Sequence, residues 1–317
     1  MTTRQAVGDL WLVGAGLMAR AYATVLDSLG VQYEVIGRGK DSSTAFEVAT
    51  GRTATTGGVR LAIASGVLPS RAIVAVGVDQ LAEVSCDLLT AGVNKLLLEK
   101  PGGLGSDELT RIRDRATSAE VTIAYNRRHY ASTSTAREMI AEDGGVSSFF
   151  FEVTEWPHAT EPKQVDPPVR ERWFLAQSSH VVDLAFHLGG RPVDWACWNE
   201  GSLPWHRASS RFAGAGVTAA GATFGFHGDW EAPGRWGLEV MTRNHRMIFR
   251  PLETLQVMSI GALDVTSAPI DAHLDRAFKP GVHEQTRAFL LGDNSVSCSL
   301  DEQIRNMLIY EQIAGYQ

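Results

Sequence analysis

The sequence predicts an α/β protein in two parts: an N-terminal parallel sheet wound with helices, then an α+β part with a large, mostly antiparallel, open-faced sheet. Three observations lead there. Residues 10–124 alternate short β-rich runs with amphipathic helical stretches, a pattern that builds a parallel sheet covered on both faces. Beyond residue 125 long runs of alternating polarity take over, and seven of the eight tryptophans lie there. At 317 residues the chain is about twice the usual length of one domain. The expected division is therefore 1–124 and 125–317.

In the first part, Leu10–Val13 reads as a strand. Apolar residues at 17, 18, 21, 22, 25, 26 and 29 then paint one face of a helix that Gly30 ends. Val31–Ile36, Ala72–Val76, Lys95–Leu98 and Val121–Ala124 read as further strands, and Asp79–Gly92 and Ser106–Ala119 as helices, the latter with Ser106 as its N-cap. In the second part the alternating runs are Val146–Trp156, Val193–Glu200, Val217–His227, Trp236–Met241, His245–Arg250 and Thr254–Ile260. A Pro-rich loop at 161–168 and a helix over Ser178–Leu188 interrupt them, and a helix over Asp301–Gly315 closes the chain.

Composition narrows the function. Hydrophobic residues make up 44% and charged residues 21%, as in ordinary folded proteins. A net charge of -7 with scattered Lys and Arg offers no footprint for nucleic acid or an anionic membrane, which leaves small-molecule chemistry. Cys86, Cys197 and Cys298 stand far apart, so neither a disulfide framework nor a thiolate zinc site is expected, and a reducing cytoplasm is. The opening MTTRQAVG lacks the pattern of an export signal, and no later stretch reads as a membrane span.

Between the first strand and its helix stands GAGLMA, with Gly14, Gly16 and Ala19 in a GxGxxA arrangement. The first glycine permits a tight turn, the second lets backbone approach a pyrophosphate, and the small third residue lets helix and sheet pack closely. The same string can be a plain glycine turn, but its position after a strand and before an amphipathic helix favours a Rossmann dinucleotide site. An acidic residue after the second strand would suit NAD(H). Here Arg38 and Lys40 follow it, with Ser42 nearby, so NADP(H) is favoured and NAD(H) remains open, as does a merely solvated basic turn.

A buried-looking strand ends in Glu99-Lys100-Pro101 followed by two glycines, at the end of a parallel strand where α/β sheets bind ligands; a surface charge pair before a turn would explain the same letters. Farther on, QSSHVVDLAFHLGG sets Asp183 and His187 on one helical face with His180 a turn earlier. A capped helix with satisfied polar groups, or a metal site lacking further ligands, are the competing explanations, and no metal is expected.

GxGxxA followed roughly eighty residues later by E-K-P, with AYNRRHY at 124–130, resembles the Gfo/Idh/MocA family of NAD(P)-dependent oxidoreductases over the whole chain. The resemblance implies a catalytic set of Lys100, Asp183 and His187, with a Lys–Pro peptide that is often cis. It implies cofactor contacts from Gly14, Ala15, Gly16, Leu17, Met18, Arg38, Lys40, Glu99 and Lys100. Where the family often has glycines before the aspartate, this chain has Gln177, Ser178 and Ser179, which weakens inference about the substrate.

The expected chemistry is hydride transfer at a carbinol or carbonyl carbon, with His187 as acid/base, Asp183 orienting it or meeting a substrate hydroxyl, and Lys100 stabilising alkoxide charge. Arg127, Trp173 and His180 are expected to meet substrate, with Arg128, Trp156, His158 and Arg172 bordering the cleft. Aromatic and guanidinium walls suit a sugar or nucleotide-linked sugar. Two alternatives stay open: a redox-neutral lyase- or glycosidase-like enzyme with retained NAD, and a non-catalytic NADP-sensing protein. Aromatic-rich strands such as FFFEVTEW predict a covered sheet face, hence a homodimer or homotetramer.

Overall fold

The computed structural model describes residues 9–160 and 165–316; the N-terminal eight residues and the first four of the Pro-rich loop lie outside the described residues. Two compact units emerge, Met1–Tyr125 with Arg276–Arg305, and Asn126–Asp275 with Asn306–Gln317. The expected boundary at 124/125 lies one residue from the first crossing. A linear division does not capture the return of Arg276–Arg305 to the first unit.

In the first unit β1 (Leu10–Val13) is buried along its length and leads into α1 (Leu17–Ser28). There follow β2 (Glu34–Ile36), α2 (Lys40–Thr50), β3 (Ala54–Thr55), α3 (Gly58–Ala64), β4 (Arg71–Val74), α4 (Leu81–Ala91), β5 (Lys95–Glu99), α5 (Ser106–Arg115) and β6 (Glu120–Ala124). The strands pair in parallel in the order β6-β5-β4-β1-β2-β3, and Cys298–Ser299 pairs antiparallel at the β6 edge. Leu12, Ile73 and Leu97 from adjacent strands meet Tyr22, Ala23 and Leu26 of α1, together with Val282 and Phe289 of the helix Val282–Leu291. Each such leucine contributes about 1.5–3 kcal/mol by leaving water.

Three local expectations need correction. β2 begins at Glu34 rather than Val31, because the Val31 amide closes α1 by donating to Leu26 O at 3.0 Å. Ser106 is the first residue of α5, not its cap; Gly105 holds the cap position, and Glu108 reaches back to accept from Leu104 N at 2.7 Å. The elements α2, β3 and α3 were not foreseen, since α2 buries only Ser43 and Phe46 and β3 has two residues.

The second unit contains α6 (Ala131–Glu142), β7 (Ser148–Glu152), α7 (Pro157–Thr160), α8 (Pro167–Glu171) and α9 (Ser179–Gly189). It continues with β8 (Pro192–Glu200), β9 (Arg211–Thr218), β10 (Thr223–Asp229), β11 (Gly237–Met241), β12 (His245–Phe249), β13 (Gln256–Ser259) and β14 (Thr266–Ser267). Its sheet runs β14-β13-β12-β11-β7-β10-β9-β8, antiparallel except between β7 and β10. One face carries α9, whose Phe186 packs edge-on against Phe149, Phe151 and Phe224. The other is open: Phe150, Gly225, Ala215 and Ala196 share a register row, and Phe150 and Trp198 are exposed.

The expected strand Val217–His227 is in fact the end of β9, a turn through Gly221, and most of β10. The alternation RFAGAG, small residues on both faces, hid β9.

Candidate functional site

In the first unit a cavity of about 600 Å³ opens at the carboxyl ends of β1 to β4, where ligands bind in sheets of this type. Gly14, Ala15, Gly16, Leu17, Met18 and Arg38 all line it. Gly14 has φ +124, and a β-carbon there would lie 2.2 Å from Ala75 O, so only glycine fits. A β-carbon on Gly16 would meet nothing within 4 Å, so the entrance to α1 is open space. No side chain caps α1, leaving its first amides for an anion.

Arg38 is exposed on the cavity wall, and its guanidinium pairs with no acid among the described residues. Its turn is pinned by Gly57 N donating to Arg38 O at 3.2 Å and Gly58 N to Gly37 O at 2.9 Å. Ser42 also lines the cavity, whereas Lys40, first residue of α2, does not. Arg60 forms part of the rim, clasped by Asp87 at 2.7 Å and Glu83 at 2.6 Å.

Glu99 and Lys100 are absent from that lining. The Glu99 carboxylate is buried and accepts from Tyr22 OH at 2.8 Å, and the same hydroxyl accepts from Gln285 Nε2 at 2.8 Å. Burial raises the Glu99 carboxyl above its usual range, against the pull of neighbouring Lys100. Its role here is to buttress the strand end. The Lys100–Pro101 peptide is cis, and Gln303 Nε2 fastens the turn by donating to Pro101 O at 2.9 Å and Tyr125 OH at 3.0 Å.

In the second unit a short 3-10 turn, Asn126–His129, holds both expected arginines. Arg128 forms a buried fork with Asp183: Nε to Oδ2 at 2.9 Å and Nη2 to Oδ1 at 2.7 Å, with Tyr310 OH adding a bond to Oδ1 at 3.3 Å. Asp183 is thus committed to Arg128 and Tyr310, not to orienting His187. His187 lies a turn along α9 with Nε2 buried and without a hydrogen bond. Burial, then the charges of Arg128, Arg137 and His129, push this imidazole well below the usual histidine value. The imidazole is uncharged at neutral pH.

Arg127 takes another direction. Its guanidinium lies over the Trp236 ring at 5.1 Å and the Tyr130 ring at 5.8 Å. Arg235 lies over Trp236 at 4.9 Å and Trp156 at 4.6 Å, and the His180 ring stands 6.2 Å from Trp236. Arg127 and His180 therefore belong to one aromatic and cationic group. Trp173 does not: it is buried and packs edge-on to Trp205 at 6.1 Å, within a cluster that includes Trp230 and Phe174, so its ring serves the core.

The hydroxyls of Ser178 and Ser179 are also used internally. Phe174–Ser178 winds as a π-helical turn, from which Ser178 donates to Glu155 Oε1 at 2.7 Å, and Ser179 donates to Leu175 O at 2.6 Å. Among the described residues no three His, Cys, Asp or Glu converge as a metal site.

No family model matches the chain, and no curated protein matches it by sequence. Solved structures do. A levoglucosan dehydrogenase in complex with NADH superposes with TM-score 0.78 at 15% identity, covering 96% of each chain. The UDP-N-acetylglucosamine 3-dehydrogenase GnnA from Acidithiobacillus ferrooxidans gives 0.75 at 13%, covering 97% of each. The chain has the Gfo/Idh/MocA fold. The WlbA dehydrogenase from Bordetella pertussis, in complex with NADH and UDP-GlcNAcA, matches at 0.71 and 15%, over 96% of this chain and 93% of that one.

On this Gfo/Idh/MocA fold several residues of the cavity and of the aromatic and cationic group escaped the sequence. Gly57–Gly58 carried only the signal of a paired glycine, because the two-residue β3 before it was not foreseen. Arg235 stood just before the run Trp236–Met241 and Trp236 opened it, and neither carried a separate signal. Tyr310 sits mid-helix, where nothing distinguishes it from core.

Proposed function

We propose that this chain is an NAD(P)-dependent oxidoreductase of the Gfo/Idh/MocA family that interconverts a carbinol and a carbonyl carbon in a sugar or nucleotide-linked sugar. The observation carrying this reading is the glycine cradle: a Gly14 that admits no side chain, an open Gly16, and a free helix entrance at one cavity. Solved relatives bound to NADH with levoglucosan, or to NADH with UDP-GlcNAcA, support the substrate class. Arg38, free of any acid, favours NADP(H), since a 2′-phosphate would give its guanidinium a partner.

When bound, the nicotinamide supplies the hydride donor or acceptor. Gly14, Ala15, Gly16, Leu17 and Met18 would hold the pyrophosphate of the dinucleotide, and Arg38 its ribose. His187, neutral by burial, takes the substrate hydroxyl proton on Nε2 in the oxidation direction and returns it in reduction. Lys100 donates to the reacting oxygen and stabilises its charge as the proton leaves. Asp183 positions Arg128 and α9 rather than moving a proton. The open sheet face with Phe150 and Trp198 serves as the surface between copies, and Cys86, Cys197 and Cys298, none of them in a disulfide, suit a reducing cytoplasm.

Denaturing freshly purified protein and identifying the released nucleotide by mass spectrometry tests the reading. Exchangeable NADP(H) is expected. Tightly retained NAD would point instead to the redox-neutral chemistry, and absence of any nucleotide, with no affinity for added NAD(P)H, would end the proposal.

A further inference from the structure

The group built around Trp236 holds two buried hydrogen-bond donors without acceptors. Arg127 Nε and Trp236 Nε1 are both shielded from solvent and make no hydrogen bond. Aromatic faces above and below a guanidinium satisfy its charge in part but leave its in-plane N–H groups unanswered. An indole N–H, being a donor only, has the same need. Glu253 and Glu155 act on Arg127 through space, but their hydrogen bonds are to others: Glu155 accepts from Ser178, and Glu253 from Tyr130 OH at 3.4 Å. Burying donors this way is costly unless something arrives to accept from them.

The group also has a direction. Trp156 is 43% exposed, Arg235 is exposed, and Trp236 is 6% exposed, so cations and rings alternate from surface to interior. At the inner end stands His180 on α9, the helix that carries Asp183 and His187. Resting on the oxidoreductase reading above, we infer that Arg127, Arg235 and the Trp236 indole form a subsite for an anionic group of the substrate, a carboxylate or a phosphate. An oxyanion there supplies acceptors to both orphaned donors and a counter-charge to both guanidiniums, while the rings pack on sugar C–H faces. The substrate is then an acidic sugar rather than a neutral one.

The test titrates glucuronate, glucose 6-phosphate and glucose into the whole protein by calorimetry, with and without NADPH. The variants are Arg127→Gln, Arg235→Gln and Trp236→Phe. One acidic sugar should bind at least about 10-fold more tightly than glucose, the size of one charge-assisted hydrogen bond. A preference for glucuronate assigns a carboxylate, and one for glucose 6-phosphate a phosphate. Either arginine substitution should erase most of that preference; Arg235 is exposed, so its variant decides the matter even where Arg127→Gln does not fold. Equal binding of all three sugars by the unmodified protein, or a preference that survives both arginine substitutions, overturns the subsite. Failure to bind NADPH bears on the oxidoreductase reading alone, because the sugar titrations without cofactor still report the preference.

Discussion

Arg128 grips Asp183 through two hydrogen bonds with both side chains shut off from water, at 3% and 0% exposure. An ion pair so enclosed makes each partner dependent on the other. Removing one leaves a bare charge inside the unit, which costs about 3–5 kcal/mol. Arg128→Met should lower unfolding free energy by that amount in urea titrations. A loss under about 1 kcal/mol would show that Asp183 finds another partner.

His187 is held neutral by burial, with Arg128, Arg137 and His129 adding to the effect. In the unfolded chain it titrates near the ordinary value of 6.5. Between the two values the unfolded state binds the extra proton, so stability is complete above that range and is lost as pH falls below 6.5. His187→Gln should flatten that dependence, and NMR of the imidazole should find it uncharged at pH 6. A resonance titrating near 6.5 would contradict the assignment of a neutral base.

The two cradle glycines should separate. At Gly14 a methyl group would meet Ala75 O and a left-handed backbone, so Gly14→Ala should cost about 1–3 kcal/mol of fold stability as well as cofactor binding. At Gly16 the protein leaves room, so Gly16→Ala should change the melting temperature little and weaken NADPH binding by about 10-fold or more. Calorimetric melting beside NADPH fluorescence reads both. Equal melting of the two variants is the outcome that would refute this distinction.

Arg38 should set cofactor choice. Arg38→Asp should turn a preference for NADPH into one for NADH, because a carboxylate repels the 2′-phosphate and accepts from ribose hydroxyls. Comparing the two dissociation constants in the same variant decides it; an unchanged ratio assigns the 2′ position elsewhere.

Lys100→Met should leave NADPH affinity near the parent value and lower turnover by about 100-fold or more. Unchanged turnover would remove Lys100 from the chemistry.

The parallel sheet was legible because its strands carry apolar stretches, LWLV in β1, AIV in β4 and LLL in β5, the mark of strands buried on both faces. Likewise Gly14 and Gly16 could be read because their roles are backbone roles, fixed by residue type and local order. Glu99 and Trp173 were misread because a charged or aromatic letter beside a motif does not reveal which way its side chain turns. Glu99 turns inward to Tyr22, and Trp173 turns to Trp205. The Arg128–Asp183 fork was hidden for another reason. Its members lie 55 residues apart, and local pattern carries no information about such pairing.

The first unit closes its core with Val282 and Phe289 and borders β6 with Cys298–Ser299. On the ribosome its parallel strands emerge early, yet the pieces that finish it are made only after all of Asn126–Asp275. The unit that starts first therefore waits for most of the chain, and the second waits longer still, for Asn306–Gln317. Until the late segment arrives, α1 lacks one of its covers and β6 is a bare edge, a template for pairing with another chain. A ribosome stalled between 125 and 276 would thus hold all six parallel strands with the β6 edge still uncovered.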